Sequence, residues 1–86
     1  MNDLERPMKA FANGRRLAII EYLKSNKEAS VSDVAAEIHL SLKSTSKHLN
    51  ILAAANILEK EQRSLEVFYR IPKNSRFTVK QIIQLI

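Results

Sequence analysis

Between Ser41 and Leu52 the chain reads SLKSTSKHLNIL. Wound as a helix at about 100° per residue, it places Lys43, Ser46, Lys47 and Asn50 on one side and Thr45, His48, Leu49 and Leu52 on the other. The first side carries cations and short hydrogen-bonding groups, and no carboxylate occurs from Leu40 to Leu58. Such a face suits the DNA major groove, where phosphates flank the helix and base edges present donors and acceptors. Lys43 and Ser44, beside Ser41, fall at the helix start, where phosphate is favoured; Ser41 is equally a good N-cap. Lys47 lies one turn further on. With Ser46 it points at the groove floor, where a lysine can donate to guanine O6 and N7, and Asn50 can contact base or backbone. Arg63, in a later polar turn, is a further candidate for phosphate or the minor groove, with Glu61 and Glu66 close beside it. The set expected to meet DNA is therefore Ser41, Lys43, Ser44, Ser46, Lys47, Asn50 and Arg63. The plain alternative for these residues is an ordinary solvated helix face.

Other chemistries find little support. The chain has 86 residues, no Cys and two His, which excludes disulfides and thiolate metal sites and argues against a zinc site or any other cofactor. His48 sits beside Leu49 on the inner border of its helix and reads as a packed or hydrogen-bonded structural residue. No paired carboxylates, Gly-rich phosphate loop or nucleophile–base arrangement stands out, so the chain is not expected to be an enzyme. The formal net charge is +5, which suits nucleic acid or an anionic surface. Its distribution is more telling: Lys43 and Lys47 make one helix basic, while Glu59–Pro72 balances three acids against three bases. No apolar run approaches the roughly 20 residues of a membrane span, and the first residues lack a signal-peptide core. A soluble, cytoplasmic protein of one small domain, residues 1–86, is the expectation.

The elements that must position the basic face follow from periodicity and punctuation. Leu4, Met8, Phe11 and Ala12 form a helical stripe, with Pro7 placing the helix start near Arg6 or a kink there. Asn13-Gly14 is a break. A second helix from about Arg15 carries Leu17, Ile20 and Leu23 inward and ends near Ser25-Asn26. Ala29-Ser30-Val31 can pair as a short strand. Ser32 is the expected N-cap of a third helix with Val34 and Ile38 inside; Ser41 caps a fourth from Leu42 to about Ala55, which Asn56 ends in the left-handed conformation. Ile57–Gln62 and Leu65–Ile71 read as strands around Arg63-Ser64, and Val79, Ile82, Ile83 and Ile86 recur at helical spacing in the tail.

Two helices, a short strand, a helix–turn–helix pair and a β-ribbon make the winged helix-turn-helix arrangement, mainly α with a small β-wing. More closely, the chain resembles the ArsR-type family of small bacterial repressors. The resemblance runs through Phe11-Ala12-Asn13-Gly14-Arg15-Arg16-Leu17-Ala18-Ile19, Val34-Ala35, Leu40-Ser41, Ser46-Lys47-His48-Leu49-Asn50-Ile51-Leu52 and Val67-Phe68-Tyr69-Arg70-Ile71. Departures are equally specific. Metal-sensing members often carry cysteine-valine-cysteine where Ser30-Val31-Ser32 stands, and serine is a poor ligand for soft metals. Others bind zinc through His and carboxylates on the last helix, which has neither from Ser75 to Ile86. Gly14 replaces the usual proline, and Ser64 stands at the wing tip where glycine is common.

The resemblance implies a homodimeric, sequence-specific repressor on an inverted-repeat operator in double-stranded DNA, while the departures at Ser30, Ser32 and the tail helix imply no metal control. It also implies that first and last helices pair across a twofold. Leu4, Met8, Phe11, Val79, Ile82, Ile83 and Ile86 are the apolar residues expected to need that cover; read by itself, the tail stripe suits an intramolecular core or a membrane surface, with Lys73, Arg76 and Lys80 at the headgroups, equally well. A winged-helix module that docks protein through its wing or terminal helices, with little affinity for DNA, is the alternative.

Overall fold

Asn13 separates the first two helices by capping the second. Its backbone is extended (φ −161°, ψ 124°), and its Oδ1 accepts from the Arg15 and Arg16 amides at 3.0 and 3.1 Å. This satisfies two of the donors that a helix start leaves unpaired. The computed structural model describes residues 2–86. Helix α1 is Asn2–Phe11 and α2 is Gly14–Ser25. The helix thus begins at Asn2, ahead of the expected start at Arg6, and runs through Pro7. Pro7 lacks the N–H that would have reached the Asp3 carbonyl one turn earlier. Arg76 compensates: its Nη1 lies 3.5 Å from that carbonyl and its Nη2 lies 3.2 Å from the Asp3 carboxylate.

Strand β1 (Ala29–Ser30) leads directly into α3 (Val31–Ile38), followed by α4 (Leu42–Ala54). Ser30, not Ser32, caps α3. Asp33 stands three residues after Ser30 and returns its carboxylate to the Ser30 amide at 3.3 Å, while the Asp33 amide donates to Ser30 Oγ at 3.1 Å. That reciprocal capping box is unavailable to Ser32. His39 (φ 57°) turns the chain between α3 and α4, Ser41 Oγ accepts from the Ser44 amide at 3.1 Å, and Asn56 (φ 61°) takes the expected left-handed conformation.

Strands β2 (Glu59–Arg63) and β3 (Glu66–Arg70) form an antiparallel ribbon, and β1 adds to the far side of β3 in the order β1-β3-β2. The turn falls at Ser64-Leu65, one residue later than expected, because Arg63 pairs opposite Glu66 and Ser64 adopts φ 55°. Ile57 and Leu58 belong to the core rather than to the strand. Their amides turn back to the Leu52 carbonyl at 3.0 and 3.4 Å. Helix α5 is Phe77–Leu85.

The core gathers Ile19, Ile20 and Leu23 from α2, Val34 from α3, and Leu49 and Leu52 from α4. Ile57, Tyr69, Val79 and Ile83 complete it. Leu17 is not part of it. It lies about 200° around the helix from Ile19 and remains exposed, with Ile19 buried in its stead. The fold is mainly α with a small wing: a single winged helix-turn-helix domain, in which α3 and α4 are the two motif helices.

Candidate nucleic-acid interface

Helix α4 is fixed to the body by the complete burial of Thr45, Leu49 and Leu52. The opposite face is thereby presented outward. Ser41, Lys43, Ser44, Lys47 and Asn50 are exposed and Ser46 is half-buried. Neither Lys43 nor Lys47 has a carboxylate within ion-pair distance among the described residues. Two cations without ion-pair partners, on a helix without an acid, form a local positive field that water screens. Ser41 Oγ is engaged as the cap, so its hydroxyl proton is what remains for a ligand. Lys43 and Ser46 border a shallow groove completed by Leu42 and by Leu65, Glu66 and Val67 of the wing.

Asn50 has a second task that its place on the helix does not reveal. Its Oδ1 accepts from the Tyr69 hydroxyl at 2.9 Å and from Lys60 Nζ at 3.3 Å. Burial raises the Tyr69 phenol above its ordinary pKa, which keeps it a donor. Asn50 therefore ties α4 to the wing with its oxygen and retains only its amide NH2 for an external acceptor.

Arg63 does not stand free at the wing tip. Its guanidinium makes two 2.6 Å bonds to the Glu28 carboxylate and one of 3.0 Å to Glu61, and its charge lies 4.5 Å from the centre of the Phe68 ring. Arg70 extends the cluster, reaching Glu59 at 2.6 Å and Glu61 at 2.9 Å. These bonds hold the Glu61 carboxyl down at about 2 and lower that of Glu28. Arg63, expected as a DNA contact, is held in the free protein by a forked pairing with a carboxylate, which engages the donors that a phosphate would use. The residue displayed at the tip is Leu65, 95% exposed.

His48 is a hydrogen-bonded residue, as expected. Its Nδ1 lies 3.1 Å from Arg16 Nη1, while Arg16 Nε donates to the Ala10 carbonyl at 2.6 Å. Arg16 thus joins α1, α2 and α4. Partial burial, and then the charges of Arg16, Arg15 and Lys47, lower the His48 pKa. Sequence spacing gave no sign of this contact or of Glu28–Arg63, because each joins residues more than thirty apart.

The seven residues assigned to a subunit interface divide. Phe11, Val79 and Ile83 are buried in the protein's own core, which corrects the expectation that they lack cover. Leu4, Ile82 and Ile86 are half-buried, and Met8 is 50% exposed. Phe77 and Leu85 of α5 are the larger exposed apolar groups, at 74% and 86%. Ser30 spends its hydroxyl on the α3 cap. Among the described residues no three His, Asp or Glu converge as metal ligands would, and no helix is long and apolar enough to cross a membrane.

The family model for a helix-turn-helix domain matches residues 11–61, from the end of α1 into β2. HlyU from Vibrio cholerae shares 32% identity over 98% of this chain and 84% of its own, with a TM-score of 0.81 in its reduced form. A winged helix-turn-helix DNA-binding domain from Mycobacterium bovis, described as homodimeric and as a possible ArsR-family regulator, is 28% identical. It covers 98% of this chain and 74% of its own, at a TM-score of 0.82. The chain belongs to the ArsR-type winged helix-turn-helix regulators. PagR, a transcriptional repressor of Bacillus anthracis, is 26% identical over 98% of this chain and 92% of its own, at 0.80. A search of curated protein sequences found no match. Within this ArsR-type framework α4 is the second helix of the helix-turn-helix and the β2–β3 ribbon is the wing.

Proposed function

We propose that the protein is a sequence-specific, DNA-binding transcriptional repressor that acts in the cytoplasm as a homodimer on an inverted repeat. The observation that carries this is the outer face of α4, where Lys43 and Lys47 stand without carboxylate partners on a helix anchored by Thr45, Leu49 and Leu52. The homodimeric M. bovis neighbour and the repressor PagR support the assembly and the direction of control. A twofold would set two recognition helices about 34–36 Å apart, one turn of DNA. Repression would follow from steric exclusion of polymerase.

Lys43 positions the helix on phosphate and Lys47, with Ser46 and the Asn50 amide, reads bases. Lys43→Ala should weaken all duplexes about equally and reduce the salt slope by roughly one phosphate contact. Lys47→Ala should cost about 1–3 kcal/mol, mainly on a specific site. Binding measured by fluorescence anisotropy, against genomic fragments enriched by the wild-type protein and against mixed duplex, separates the two effects. Intact binding by both folded variants would refute the assignment. A second reading, docking of protein through the wing, draws on Leu65 and the apolar side chains of Leu42 and Val67 along the groove beside it; it gains if wild-type protein ignores DNA.

A further inference from the structure

The imidazole of His48 is half-buried on the flank of the recognition helix, and its two nitrogens differ in use. Nδ1 faces a guanidinium N–H at 3.1 Å. A guanidinium can only donate, so Nδ1 must accept, and the ring proton lies on Nε2. Among the described residues Nε2 has no protein partner. It is not sealed in the interior either, since among the described residues the lone buried side-chain polar atom without a partner is Thr45 Oγ1. An N–H donor therefore reaches solvent at a fixed place beside the outer face of α4. The charges around it are all of one sign: Arg15 and Arg16 from α2 and Lys47 from α4. Arg16 is committed to Ala10 and His48, whereas Arg15 is exposed and has no carboxylate partner among the described residues.

We infer that His48 Nε2–H and the Arg15 guanidinium together take one DNA backbone phosphate beside the recognition helix, with Arg16 as the positioning residue that sets the His48 tautomer. The inference rests on α4 being the DNA-binding helix and adds α2 to the contact surface. A fixed neutral donor beside an exposed cation is suited to a phosphate oxygen, because the hydrogen bond gives direction and the guanidinium gives charge. The same bond explains why a histidine can stand among three cations: in its neutral form it adds no repulsion and accepts a hydrogen bond from one of them.

The test is duplex binding by fluorescence anisotropy over a range of salt, using a mixed-sequence 20-base-pair DNA. His48→Asn keeps an acceptor oxygen near the Nδ1 position and removes the outer donor; His48→Gln restores a donor near Nε2. We expect His48→Asn to lose about tenfold in affinity, the scale of a hydrogen bond to a charged group, with His48→Gln recovering part of it. Arg15→Ala, on an exposed position, should lower the salt slope by about one contact. Its effect should shrink in the His48→Asn background. Should His48→Asn fail to fold, Arg15→Ala alone decides: an unchanged slope overturns the inference. A folded His48→Asn that binds as wild type also overturns it, while loss of binding in Lys43→Ala in the same assay leaves the recognition helix itself standing. If the wild-type protein binds no duplex at all, both readings fall.

Discussion

Arg63 lies between Glu28 and Glu61, and the pairing alters how all three respond to acid. Glu61 titrates at about 2 in the folded protein against an ordinary value of 4.5, and Glu28 is shifted the same way, in each case first because of the hydrogen bond from Arg63. A carboxylate lowered by folding contributes stability that is fully present above its unfolded value and lost as pH falls through the folded one. The wing network should therefore weaken from about pH 4.5 downward. His48 acts at higher pH. Its folded value lies below the ordinary 6.5, so folding favours the neutral ring, and stability declines as pH falls below that point. Urea midpoints followed from pH 8 to pH 2.5 should reveal both declines. Glu61→Gln should flatten the lower one and His48→Asn the upper one. Because the wing carboxylates are solvent-exposed, the lower decline should shrink in 1 M salt.

Helix α2 starts at Gly14, and no neighbour lies within 4 Å of a Cβ placed there. Asn13 before it is already extended, as a residue preceding proline must be. The first helical position also has no intrahelical acceptor for its N–H. Gly14→Pro should consequently stabilise the domain by about 0.4–1 kcal/mol, through a less disordered unfolded chain, read as a higher thermal midpoint with unchanged DNA binding. Punctuation of this local kind was legible from the sequence. The Asn13 break, the Ser41 cap and the Asn56 ending each depend on residues within a few positions, and all three elements formed as expected. The basic face of α4 was legible for the same reason, since helical periodicity alone separates Lys43 and Lys47 from Leu49 and Leu52. Ser32 misled because Ser30 offered a cap two residues earlier and Asp33 could reciprocate only there. The pairing of Arg63 was not legible because nothing near it in sequence announces Glu28, which the β1–β3–β2 order brings across the sheet. Pro7 misled because the residue that compensates its missing N–H is Arg76, at the other end of the chain.

On the scale of the whole molecule the apolar surface is uneven. Phe77 and Leu85 of α5 and Met8 of α1 are exposed; half-buried Leu4 and Ile82 lie on the same two helices, and half-buried Ile86 follows α5 directly. Removing an apolar side chain from water is worth roughly 1.5–3 kcal/mol, so a second copy covering these helices would add substantially to a domain of only 86 residues. Light scattering at micromolar concentration should report a dimer. Phe77→Glu should shift it toward monomer while preserving the helical circular dichroism, because Phe77 takes no part in the core. A wild-type monomer at high micromolar concentration would remove the dimeric reading.

The clasp of Arg76 on Asp3 also bears on the order of events during folding. It joins residues 73 positions apart, so closing it encloses nearly the entire chain in one loop. Helices α2, α3 and α4 are neighbours in sequence and pack on one another, which makes their contacts the less costly to form first. Docking of α5, with Val79 and Ile83 entering the core, should come after the rate-limiting step. Val79→Ala should then accelerate unfolding and leave the refolding rate nearly unchanged, whereas Leu49→Ala, in the contiguous helical part, should slow refolding as well. Stopped-flow chevrons of the two variants at one protein concentration would distinguish them, and equal slowing of refolding in both would place the closure of the chain ends earlier.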